Sequence, residues 1–119
     1  MFTGQIDTIS NRANWTGPFC QIVDKSEGSI INILNTDIGF DCSVYIKEYH
    51  HHWHRIIGSI ENGKVIVSSG DDGPGFQWSF TEDDVRCLWP GTYRFGVKTT
   101  TNGEVNDLVD GTLVVIEGN

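Results

Sequence analysis

Phe76-Gln77-Trp78-Ser79-Phe80 places a large aromatic at every second position, with short polar residues between. An extended chain sends alternate side chains to opposite faces, so this run has one aromatic face and one polar face. Burying each ring contributes roughly 1.5–3 kcal/mol, which calls for a second layer to cover that face. Residues 88–117 supply strands of the same grammar. After the turn Trp89-Pro90-Gly91, Tyr93, Phe95 and Val97 share one face of a strand, and Asn102-Gly103 and Asp110-Gly111 predict two further turns. The stretch reads as an antiparallel meander.

Other segments extend the pattern. Residues 40–49 alternate cleanly, with Cys42, Val44 and Ile46 on one face and Ser43, Tyr45 and Lys47 on the other. Residues 55–60 and 64–68 flank Glu61-Asn62-Gly63, which predicts a tight hairpin because Asn-Gly takes positive φ at little cost. Residues 14–24 read as a strand interrupted at Gly17-Pro18, hence an edge strand or a bulged one. Thr81 followed by Glu82, Asp83 and Asp84 predicts an N-cap and one helical turn, the only helix expected. The fold class that follows is all-β: an antiparallel, Ig-like or jelly-roll-like sandwich of about seven or eight strands with one short helical turn.

With 119 residues and no low-complexity stretch, the chain fits a single domain over residues 14–119, preceded by a flexible arm at residues 1–13 whose apolar residues are sparse. Sixteen acidic residues against eight basic give a formal net charge of −8. That field repels phosphate backbones and anionic bilayers, so neither nucleic acid nor membrane is an expected partner. The N-terminus has no signal-peptide pattern, and no run approaches the ~20 apolar residues of a spanning helix.

Few groups suggest chemistry. His50, His52 and His54 alternate within His50-His51-His52-Trp53-His54, and imidazoles on one face of a strand are candidate ligands for zinc, copper or nickel. Three ligands from one strand converge on a metal only if the strand bends, so a solvated loop or strand end is the first reading. The His-x-His of a cupin is present at His52 and His54, but the following Glu and the later His are not. Asp71-Asp72-Gly73 lacks the spaced oxygen ligands of a calcium loop. No Gly-x-Ser-x-Gly elbow or phosphate loop occurs, so no catalytic residue and no cofactor is assigned. Cys20, Cys42 and Cys87 are an odd set, read as small buried hydrophobes or, alternatively, as partners in a bridge within or between subunits. For most of the four tryptophans, core or corner packing is expected.

One parity is unusual. Leu113 and Val115 fall on one face of the last strand, while Val114 and Ile116 make the other face apolar too. Either both faces are covered within the monomer or the second meets another subunit. Val114, Ile116, Phe2 and Ile6 are the candidate subunit contacts.

Asn14-Trp15-Thr16, the run from Phe76 to Thr81, Leu88-Trp89-Pro90-Gly91-Thr92-Tyr93, Leu108 and Gly111-Thr112-Leu113-Val114-Val115 together resemble small virion proteins of tailed bacteriophages, in particular the N-terminal β-sandwich of baseplate upper proteins. The resemblance covers residues 14–117 and rests on turn and core residues; the histidine cluster is not part of it. It implies a non-enzymatic module of the virion, made in the bacterial host cytoplasm, that works in several copies as a decoration, neck, collar or tail-associated protein. Its partners would be capsid, neck or tail proteins and copies of itself. The alternative is a host-surface or carbohydrate-binding module using Tyr45, Tyr49, Trp53 and the histidines for stacking, and the third reading is a metal-binding β-sandwich enzyme.

Overall fold

The computed structural model describes residues 2–24, 26–49 and 54–118, with His54 described in its backbone only. The strands are β1 (Gln5–Ser10), β2 (Trp15–Thr16), β3 (Asp41–Glu48), β4 (His54–Ser59), β5 (Val65–Gly70), β6 (Gly73–Phe80), β7 (Gly91–Thr101) and β8 (Glu104–Ile116). They form two sheets, ordered β1-β8-β7-β3-β4 and β2-β6-β5. The fold is an eight-stranded all-β sandwich. Every pairing within it is antiparallel except that of β1 with β8.

The aromatic face of β6 lies at the centre of the core, where Phe76, Trp78 and Phe80 are fully enclosed. From the facing sheet Phe95 comes within 5.2 Å of the Trp78 ring centroid. Trp15 closes the group, stacking on Phe80 at 6.1 Å and meeting Trp78 and Phe95 edge-on. Such pairs contribute about 0.5–1.5 kcal/mol each beyond burial. The inward faces of β3, β7 and β8, with Val44, Ile46, Val97, Leu113 and Val115, complete the layer opposite.

The helical turn forms where its cap predicts. α1 (Glu82–Val85) opens on a capping box in which the Thr81 hydroxyl accepts from the Asp84 amide and the Asp84 carboxylate accepts from the Thr81 amide. It is not the only turn of its kind. A 3-10 turn at Thr36–Ile38 is capped by the Asn35 side chain and ended by Gly39 at φ 63°.

Four expectations are corrected by the structure. The segment read as a flexible arm contains β1, docked beside β8. Only Ile9 and, in part, Ile6 reach the core from β1, so an edge strand of this kind leaves too few apolar residues to register as a pattern. The segment 14–24 keeps a ladder only at Trp15 and Thr16 and then touches its neighbours through single bridges, Cys20 to Phe76 and Val23 to Ile30. The two runs flanking Asn62-Gly63 do not pair: β4 belongs to the large sheet and β5 to the small one, so this Asn-Gly turns a corner between layers. Finally, Asp110-Gly111 is no turn, because β8 runs unbroken from Glu104 to Ile116. The expected turn at Asn102-Gly103 is present, with φ 51° and 80°, and joins β7 to β8.

Candidate functional site

The segment between α1 and β7 builds the most distinctive surface. Leu88 is buried and anchors it in the core. Its carbonyl accepts a 3.0 Å hydrogen bond from the Asn11 side chain, and the next carbonyl, of Trp89, accepts one of 2.8 Å from the Tyr93 hydroxyl. With the backbone held at both carbonyls, the Trp89 indole projects outward and is 78% exposed. The expectation of corner packing therefore fails for Trp89, although Trp15 and Trp78 are core residues. The sequence alone gave no sign of this, since a tryptophan before Pro90-Gly91 satisfies either orientation.

Trp89 borders a cleft of about 350 Å³, shared with Asn11, Arg12, Arg86, Pro90 and Glu117. Asn11 ties its walls together. Its amide donates to the Ile116 carbonyl at 3.1 Å, and its side-chain oxygen accepts from the Gly118 amide at 3.1 Å. Arg86 is braced by Glu82 at 3.1 Å and Asp83 at 3.3 Å. An exposed aromatic that shares a cleft with Arg12 and Arg86 stands out on a chain with eight basic residues.

The surplus face of β8 ends beside this cleft. Ile116 is 50% exposed and Val114 is half-buried between its ladder neighbours Thr8 and Thr92. Ile116, the more exposed of the two, lies opposite Ser10. Of the other proposed subunit contacts, Phe2 is 47% exposed and bridges to Val109, whereas Ile6 packs against the core.

His50 and His52 lie outside the described residues, as does Trp53, and His54 opens β4. Among the described residues no group of three His, Cys, Asp or Glu side chains is arranged to hold a metal ion. All three cysteines are free thiols: Cys42 buried, Cys20 half-buried and Cys87 exposed. Burial, with help from Asp41 and Cys20, pushes the Cys42 thiol up to about 12. Cys20 is likewise raised by burial. Both are weakened as nucleophiles at neutral pH, because the thiolate is the reactive form.

The tyrosines offered for stacking differ. Tyr45 lies flat across Gly96, where an added Cβ would fall 2.1 Å from the ring, and Lys47 Nζ stands 4.8 Å over the ring centroid. Burial, followed by the charges of Asp110 and Asp107, raises its hydroxyl. Tyr49 is half exposed at the end of β3. The Asp84 carboxylate, 2.8 Å from Lys64 Nζ, is committed to the helical cap.

No protein-family model matches this chain, and no curated protein sequence matches it. The resemblance to phage virion proteins therefore rests on the residues named for it.

Proposed function

We propose that the protein is a non-enzymatic β-sandwich module of a tailed-phage virion, a decoration, neck, collar or tail-associated protein, that binds other virion proteins through the end of the sandwich bearing Trp89. The observation that carries the reading is the outward Trp89 indole on a backbone fixed at both neighbouring carbonyls. Rigid, exposed aromatics with arginine neighbours are the residue types that dominate protein interfaces. The half-exposed Ile116 extends the apolar surface at the same end of the sheet. Many copies in a symmetric particle make a modest single contact effective through avidity.

The test is incorporation. Purified particles assembled with Trp89→Ala or Ile116→Lys should carry far less of this protein than wild-type particles, while each variant alone keeps its thermal transition. Absence of the wild-type protein from intact virions would end the proposal.

A second reading draws on the same indole. A solvent-exposed tryptophan beside a polar cleft also suits a sugar ring, with Arg12 in the cleft lining for hydroxyl or carboxylate groups. Glycan-array binding that disappears in Trp89→Ala would favour a carbohydrate-binding module over a virion joint.

A further inference from the structure

We propose that two copies of this chain pair through the open edge of β5, antiparallel about a two-fold axis at Val67, joining their three-stranded sheets into one. This surface is separate from the Trp89 end, and the proposal does not depend on membership of a virion.

The register shows which backbone groups point outward. Phe76 exchanges both backbone hydrogen bonds with Cys20, at 2.7 and 2.8 Å, and the Trp78 carbonyl accepts from the Gly17 amide at 2.9 Å. At these two positions β6 therefore faces away from β5. In an antiparallel ladder, facing residues turn the same way relative to their shared seam. Val67 lies opposite Phe76 and Val65 opposite Trp78, so both direct their N–H and C=O to the open side. Ser69 follows with the same parity, opposite Pro74, which has no N–H to offer. Among the described residues no hydrogen bond reaches the backbone groups of Val65, Val67 or Ser69.

The other sheet edges carry the features that block strand addition. β1 has a bulge between Gln5 and Asp7 and bears the Asp7 carboxylate. β2 is two residues long. β4 has a register shift at Arg55, where His54 and Ile56 pair with adjacent residues of β3. β5 has none of these: Val-Ile-Val-Ser-Ser-Gly pairs in unbroken register and contains no charge and no proline. An edge left neutral and regular is a template for another strand.

Charge selects a second copy and its direction. Lys64 precedes β5, and Asp71 and Asp72 follow it. Antiparallel pairing with Val67 opposite Val67 and Val65 opposite Ser69 sets Lys64 of each copy beside Gly70 and Asp71 of the other. It also keeps the two Asp71-Asp72 pairs at opposite ends of the seam. Parallel pairing would stack those four carboxylates in an assembly already carrying −8 per chain. The pairing also covers an apolar cleft of about 360 Å³ along this edge, lined by Ile33, Leu34, Phe40, Ile60 and Val67, in which Leu34 stands half exposed.

Sedimentation of the full chain over a dilution series tests the idea against Ser69→Pro, which removes one outward N–H at an exposed position without touching the core. The wild type should dimerise as concentration rises, and Ser69→Pro should remain monomeric with an unchanged circular dichroism spectrum. Hydrogen exchange on the wild type gives a second readout that needs no variant: the Val65, Val67 and Ser69 amides should exchange at least about tenfold more slowly in concentrated than in dilute solution. A wild type that stays monomeric, or a dimer whose β5 amides gain no protection, overturns the proposal.

Discussion

The Cβ that Gly111 lacks would lie 2.2 Å from the carbonyl oxygen of Gly4. That oxygen accepts the Thr112 amide at 3.1 Å, so the start of β1 is fastened to β8 where β8 has no side chain. Gly111→Ala should push this backbone away and cost about 1–3 kcal/mol, as overpacking does. Urea denaturation measures the loss, and amides along the β1–β8 seam should lose exchange protection before the rest of the sheet.

Asn11 joins three segments with one buried side chain, donating to Leu88 and accepting from Gly118. Asn11→Ala leaves a carbonyl and an amide without their partner, at about 1–3 kcal/mol. Because the Leu88 carbonyl is one of the two points that fix Trp89, Trp89 fluorescence anisotropy, read in a background where the other tryptophans are replaced, should fall as the indole gains freedom.

Asp84 gives the fold an acid-side dependence. Burial raises its carboxyl, but the Lys64 ammonium and the Thr81 amide and hydroxyl together outweigh this and hold it below the ordinary 3.8. Since the folded value lies below the unfolded one, the stabilisation is complete above the unfolded value. It is lost as pH falls through the folded value. The thermal midpoint should therefore drop between about pH 5 and about pH 2, and Asp84→Asn should lower the midpoint at neutral pH while flattening that drop.

The thiols should separate by accessibility and ionisation. With a maleimide or iodoacetamide at neutral pH, exposed Cys87 should label first and half-buried Cys20 more slowly. Cys42, held at about 12, should react only on unfolding. Peptide mass spectrometry over a time course checks the order, and early labelling of Cys42 would contradict its burial.

Two Asn-Gly pairs show how far local sequence reaches. At Asn102-Gly103 both residues take positive φ and the strands on either side pair, as the dipeptide predicts. At Asn62-Gly63 only the glycine does. The Asn62 side chain instead accepts from the Ser59 and Lys64 amides and donates to the Ile57 carbonyl, bracing a corner between the sheets. Asn102→Gly should thus change stability by less than about 0.5 kcal/mol, whereas Asn62→Gly should cost about 1–3 kcal/mol, both measured by chemical denaturation.

The sequence by itself determined what is local: the period-two face of Phe76, Trp78 and Phe80, the inward parity of Cys42, Val44 and Ile46, the cap at Thr81 and the turn at Asn102-Gly103. Each depends on a few adjacent residues and their intrinsic geometry. Only the tertiary structure decided which strands share a sheet, that residues 5–10 dock beside β8, that Gly111 makes room for Gly4 rather than turning the chain, and that Trp89 faces outward. Those outcomes depend on groups distant in the chain competing for the same space and the same hydrogen bonds. Alternation marks a strand's faces but does not name the strand that lies beside it.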